Sequence, residues 1–237
     1  MRRNNFLYIF LFTLFSGSGL FTGQCFGQPP AVQINQQEPL KDNQILYTGK
    51  VWRNLYNYIK GDQFLFSKDF LNGSITINGK TFKDLSINYD IYKDEIITPT
   101  NRGFILQLNK EVVDSFTIIF RYKTYKFVNT QEDSLPGIIG FVNLLYKGKS
   151  ELFIKYKKEI QLLAVDDKYD LFYRTYRIYL LKDRIVYQIS NKHDLLKVLN
   201  EDKTQIKEFI KKNKSKISKT EPESFIPVIR YYDSISH

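Results

Sequence analysis

From Ile45 to about Ile189 the chain alternates apolar and polar residues in short runs broken by turn residues, the mark of antiparallel sheet. The clearest case is Ser74-Ile75-Thr76-Ile77, then Asn78-Gly79, then Lys80-Thr81-Phe82. Asn and Gly both tolerate positive φ, so this pair predicts a type I′ hairpin with Ile75, Ile77 and Phe82 facing inward. Leu85, Ile87, Tyr89 and Ile91 continue at period two. The same reading predicts strands over 103–108, 115–121, 123–128, 140–147, 150–157, 159–165, 172–181 and 184–190. Gly148-Lys149 and Lys182-Asp183 are the expected turns within that series.

After Ser190 the period lengthens. Leu195, Leu196, Val198 and Leu199 fall on one helical face, with Asn191 or Asp194 as the cap. Asp202 with Gln205 has the spacing of a capping box, and Ile206, Phe209 and Ile210 follow. Thr220 with Glu223 repeats the spacing ahead of Phe225, Ile226, Val228, Ile229 and Tyr232. Pro227 argues instead for a start at Ser224, which places the proline in the first turn. The expected fold is α+β and mainly β. A curved antiparallel sheet, sandwich or half-open barrel occupies 45–190, and two or three C-terminal helices within 191–237 pack on it. Their apolar stripes are too large to leave in water. A small outer-membrane barrel fits less well, because many candidate strands carry Lys on both faces and the chain closes with helices.

The N-terminus changes the compartment. Arg2 and Arg3 precede an apolar run over 6–15 broken only by Thr13, and small residues follow. That is the plan of a signal peptide over 1–27, cut after Gly27. The apolar run is too short for a membrane span, which needs about 20 residues. Cys25 as a lipidated N-terminus is the rival, disfavoured because Gln24 is not small. Residues 28–44 carry three Pro and read as a flexible lead. The expectation is export.

Of the 237 residues, 35 are Lys or Arg and 25 are Asp or Glu, a net charge of +10. After the cut, 210 residues with +8 and no Cys remain, which suits an oxidising compartment and excludes thiol chemistry. Two His, His193 and His237, leave little for zinc or a Ser-His-Asp arrangement, so no metal or other cofactor is expected. No phosphate-binding loop or dinucleotide fingerprint is present. Carboxylates cluster as Asp90, Asp94 and Glu95, and as Asp166, Asp167 and Asp170. Neither group has calcium-loop spacing, and acids at strand ends are ordinary turn residues. Lys203, Lys207, Lys211 and Lys214 share one helical face. A solvated face is the plain reading, and attraction to an anionic envelope surface the functional one. Export removes nucleic acid as a partner.

Several stretches taken in order look alike to a known group: YTGKVWRNLY, GDQFLFS, GSITINGKTFKDLSINYDIYKDEI, LQLNKEVVDSF and the closing FIPVIRYYDSI. Over roughly 45–237 the chain resembles a family of uncharacterised exported proteins of Gram-negative bacteria. The resemblance implies envelope localisation, in the periplasm or outer membrane of a Gram-negative bacterium, and a β-rich fold, and carries no activity, cofactor or site residue.

Aromatics are 16% of the chain. On strands they are mostly core and cross-strand pairs, yet enough crowd together to line a groove. The leading expectation is a non-catalytic envelope protein that binds a partner protein or a lipid or glycan ligand. Trp52, Tyr89, Tyr173, Tyr176 and Tyr179 would form the binding surface, with peripheral membrane association through the basic helix. The alternative is a hydrolase on glycan or peptide, using a carboxylate pair from the 90–95 and 166–170 groups.

Overall fold

The computed structural model describes residues 44–130 and 135–236. The expected signal peptide and cleavage site, Cys25 and most of the proline-bearing lead lie outside them. Eleven strands form one antiparallel sheet. They are β1 (Gly49–Val51), β2 (Leu71–Ile77), β3 (Lys80–Asp90), β4 (Glu95–Pro99), β5 (Ile105–Leu108), β6 (Val113–Phe120), β7 (Lys123–Thr130), β8 (Gly140–Lys147), β9 (Glu151–Val165), β10 (Tyr169–Lys182) and β11 (Ile185–Ile189). Three helices follow: α1 (Lys192–Val198), α2 (Lys203–Lys212) and α3 (Ile226–Ile235). The spatial order is β1-β5-β4-β3-β2-β6-β7-β8-β9-β10-β11, so the strand order is open at both ends. The mainly-β reading with C-terminal helices therefore holds.

The Asn78-Gly79 turn forms as expected, with φ of 48° and 78°. Gly79 also donates its N–H to Asp114 at 2.7 Å. Past the turn, Asp84 takes φ 55°, where the β2–β3 pairing shifts by one residue. That bulge explains why the inward positions change parity from Phe82 to Leu85, Ile87 and Tyr89. Arg121-Tyr122 and Asp183-Arg184 make further tight turns with both residues at positive φ. The latter moves the expected Lys182-Asp183 turn along by one, since Lys182 still pairs with Ile185.

Three expectations need correction. Strands expected over 150–157 and 159–165 are one 15-residue strand, β9. Lys157-Lys158-Glu159 has no turn residue, and Lys158 reaches a partner outside the ladder (below). Two short strands, β1 and β4, were not anticipated; β4 is reached through a tight turn at 91–94 with Asp94 at φ 59°. Asp202 sits at the N-cap of α2 but makes no side-chain cap bond, so that capping box does not form. Asn191 does cap α1, accepting from Asp194 N at 3.0 Å. Pro227 lies in the first turn of α3, behind a short 3-10 turn over Pro222–Phe225.

One cross-strand row shows where the cores sit. Phe82, Ile75, Phe116, Phe127, Asn143, Ile154, Ile178 and Ile189 are successive register partners from β3 to β11, and all are buried. The first half of this face is an aromatic core. Phe116 stacks on Phe127 with centroids 4.6 Å apart, and Tyr89 packs edge-on against Phe116, Phe127 and Phe141. The second half is aliphatic and is covered by the helices through Leu195, Leu199, Ile206, Ile210, Val228 and Ile229. The helices thus cover the sheet's far end and not the mouth of its aromatic half.

The sheet curls until β3 returns to β9. Lys158 N donates to Ile91 O at 3.2 Å, a contact outside the strand ladder. A strap over 59–65 spans the same gap. On one side Leu65 N donates to Tyr89 O and Ile91 N to Gln63 O, both at 3.0 Å. On the other, Lys60 N donates to Asp170 O at 2.9 Å and Phe172 N to Lys60 O at 3.0 Å. The strap bridges this gap through isolated contacts, and the sheet itself stays unclosed.

Candidate functional site

The strap fixes what its flanking residues can do. Trp52 follows β1 directly, and its N–H donates to Ile105 O at 2.8 Å. Tyr56 wedges edge-on between Tyr92 (5.1 Å, 84°) and Phe172 (5.8 Å, 85°). Asp62 accepts from Lys158 Nζ at 2.8 Å and from Phe64 N at 2.8 Å. Arg174 donates to Leu65 O at 3.3 Å. Aromatic rings on the strap side are thereby held in place with part of their surface open.

Between the strap and the β3–β4 turn lies a cleft of about 360 Å³, walled by Trp52, Tyr56, Gln63, Asp90, Glu95 and Gln107, with Arg53 and Lys93 at hand. Asp90 and Glu95 are direct partners across the β3–β4 ladder. Asp90 Oδ1 accepts from Tyr92 N and Lys93 N, both at 2.9 Å, a side-chain turn that positions the loop. Oδ2 has no hydrogen-bond partner among the described residues. Burial pushes the Asp90 carboxyl up to about 6, against the lowering effect of those two amides. Burial also raises Glu95, opposed by Lys93 and Lys110. Lys93 is raised, first by its hydrogen bond to the Tyr56 hydroxyl. An Asn at 90 could make the same turn with no ionisation to suppress. The carboxylate is thus more than the local structure needs.

The third acid of this group goes elsewhere. Asp94 accepts from the Tyr89 hydroxyl at 2.5 Å, from Lys155 at 3.1 Å and from Lys110. Lys155 also donates to Ile139 O at 3.1 Å and Phe141 O at 3.0 Å. Gly140 (φ 93°) leaves the space, because a Cβ there would sit 1.8 Å from Asp94 Oδ2. Burial works to raise Asp94, but Lys155, Lys110 and Tyr89 outweigh it and hold the carboxyl below its ordinary range. Lys155 is lowered, chiefly by burial, and the Tyr89 hydroxyl is raised, chiefly by burial and then by Asp94. Every charged atom here is spent on another, so this is a latch between the β3–β4 turn and β8–β9.

No protein-family model, curated protein or solved structure matches the chain.

The five aromatics expected to share a binding surface do not come together. Trp52 lines the cleft. Tyr89 is 1% exposed, its ring enclosed by three others, so it belongs to the core and cannot line an open groove. On β10, Tyr173 and Tyr179 face one side and Tyr176 the other, as strand parity requires. Tyr173 donates to Glu159, Tyr176 donates to Lys219 O at 2.8 Å, and Tyr179 packs against Leu135, Ile138, Val142 and Phe153. The two carboxylate groups also stay apart. Asp170 walls a different cleft, with Tyr58 and Lys60, and Asp166 and Asp167 occupy the β9–β10 turn at positive φ. Lys207 and Lys211 are exposed on α2, Lys203 is half-buried, and Lys214 lies beyond the helix at φ 50°, so the expected four-residue face is interrupted. Of the residues walling the cleft, Trp52, Asp90 and Glu95 were candidates from the sequence, but Gln63, Lys93 and Gln107 were not. Nothing local in the sequence marks them, because the strap's path joins them. Among the described residues no cluster of His, Cys, Asp and Glu could hold a metal ion, and no helix is long and apolar enough to cross a membrane.

Proposed function

We propose that the protein is a non-catalytic ligand-binding module of the cell envelope, and that it binds in the cleft between the strap and the β3–β4 turn. One observation carries the reading: Trp52, Tyr56 and the half-buried Glu95 and Gln107 share that cleft with Asp90, a carboxylate that is 1% exposed and whose second oxygen has no hydrogen-bond partner among the described residues. Apolar ring surface beside a few converging polar groups is the usual composition of a small-molecule or glycan site. The aromatic core supports no carrier role, since its rings pack on one another. Export rests on the Arg2-Arg3 start and the apolar run at 6–15.

Hydrolysis in the same cleft is the second reading, because Asp90 and Glu95 face each other across the ladder. Acid–base division of labour needs the two pKa values pushed apart. Here burial raises both, which favours binding. Trp52 is the sole Trp, so its fluorescence reports on this part of the surface. Purified protein titrated with envelope glycans, peptides and lipids should give a saturable emission change and no product. Turnover that disappears in Asp90→Asn would replace binding by hydrolysis. An emission unmoved by all three classes would remove the cleft as the functional site.

A further inference from the structure

Two more clefts adjoin the first along the same stretch of chain. The second, of about 470 Å³, shares Trp52, Tyr56 and Gln63 with it. The third, of about 440 Å³, shares Asn57, Ile59 and Lys60 with the second and adds Tyr58, Tyr169 and Asp170. Successive residues of one segment therefore wall successive clefts. Such a series is longer than a single small ligand fills.

We infer that the ligand is an extended, uncharged oligosaccharide lying along the 51–64 segment across these three clefts. The inference rests on the binding reading above and names its ligand class. Charge is the first argument. The chain carries +10, yet here five cations (Arg53, Lys60, Lys68, Lys93, Lys168) interleave with four carboxylates (Asp62, Asp90, Glu95, Asp170). A polyanion or polycation calls for a field of one sign, and this surface has none.

The donor set is the second argument. Side-chain amides recur along the stretch: Asn57 and Gln107 reach the surface, as does Asn54, whose carbonyl already accepts from Tyr56 N and the buried Gln63. An amide both donates and accepts, as a sugar hydroxyl does. Trp52 and Tyr58 offer ring surface beside them, and Tyr58 is 70% exposed. The ring of Tyr169 is less available, because Lys60 Nζ lies 4.4 Å from its centroid. Asp90 fits a hydroxyl partner in either protonation state, donating or accepting.

The backbone supplies the third argument, against a peptide. An extended peptide binds by adding to a free strand edge. The strap's edges are taken: Lys60 bonds β10 through both its N–H and its carbonyl, and Gln63 and Leu65 bond the end of β3. Along 60–65 recognition must therefore come from side chains, which suits a hydroxyl-rich chain; here only the short outer edge of β1 is open to a strand.

Trp52 emission and calorimetry, run on the purified protein against β-1,4 chito- and cello-oligosaccharides of one to six units and an array of neutral and acidic glycans, test this. The expected result is binding of neutral chains, with affinity rising at least tenfold between two and four units. Tyr58→Ala should weaken the longer chain about tenfold and leave the disaccharide within twofold, while Trp52→Ala weakens both. Affinity independent of length, or a Tyr58→Ala variant that binds long chains normally, would overturn the extended site and leave the first cleft standing. Binding of acidic glycans alone, or of an uncharged decapeptide in preference to every glycan, would overturn the ligand class. Loss of any saturable response to glycan and peptide alike would remove the cleft reading and this inference together.

Discussion

Two sets of aromatic residues, one in the core of the curl and one beside the strap, are used in opposite ways. Inside the curl, Tyr89, Phe116, Phe127 and Phe141 touch one another on nearly every side, and the one polar atom among them, the Tyr89 hydroxyl, is bound by Asp94. Outside, Trp52, Tyr56 and Tyr58 are held at one edge by the strap and keep open surface over polar clefts. Residue type does not separate the two sets. What separates them is exposure: the inner rings are buried, whereas Trp52 and Tyr56 are half-buried and Tyr58 is 70% exposed. Function is to be sought where ring surface stays open.

The difference breaks most visibly inside. Phe116→Ala removes a fully buried ring stacked on Phe127 and should cost about 3–5 kcal/mol. Denaturant unfolding measures it, with Phe127→Leu as a milder companion. A loss below about 1 kcal/mol would mean the curl is looser than its ring contacts imply.

Next come the two carboxylates of the β3–β4 turn, which should respond to pH with opposite sign. Asp94 is held below its ordinary range, so its contribution is present at neutral pH and is lost as pH falls. Asp94→Asn strands Lys110 and Lys155 and should cost about 2 kcal/mol at pH 7, a value reduced for partial exposure. The deficit should close in acid. Asp90 is raised to about 6, so the folded state holds its proton more tightly than the unfolded chain does. Its contribution is present below pH 4 and lost as pH climbs through 6. Asp90→Asn keeps the turn and removes that loss, and should gain about 1–2 kcal/mol at pH 7 and nothing at pH 4. Melting curves of both variants from pH 4 to 8 check the pair. Profiles of the same sign would show that one of the two environments is misassigned.

Much of the scaffold is legible in the sequence because its signals are local. Asn78-Gly79 sets one hairpin, a short mostly apolar run sets β8 at 140–147, and Asn191 caps the first helix. Where local signals fail, a distant partner decides. Lys157-Lys158-Glu159 looks like a break between strands, yet Lys158 is ordered by Asp62, 96 residues away. The latch is unreadable for the same reason: nothing marks Lys110 and Lys155 among 35 basic residues until the curl brings them to Asp94. Trp52 and the acids at 90 and 95 were visible as candidates. Their meeting was not, since the strap that joins them is pinned to β10 by Lys60, more than a hundred residues before its partners.

The smallest expected effect sharpens the comparison most. Tyr58→Ala deletes a ring much like the one deleted by Phe116→Ala, from a residue 70% exposed. Its stability should stay within about 0.5 kcal/mol of the parent, the range for surface positions free of buried partners. Ring loss inside and ring loss outside would then differ several-fold in stability, and in the reverse order in long-chain glycan affinity. That crossing of the two readouts is what a binding surface built on a finished core requires. If Tyr58→Ala instead cost more than 1 kcal/mol, Tyr58 would be helping to hold the strap. The outer aromatics would then be a continuation of the core, and the difference between the two sets would be one of depth alone.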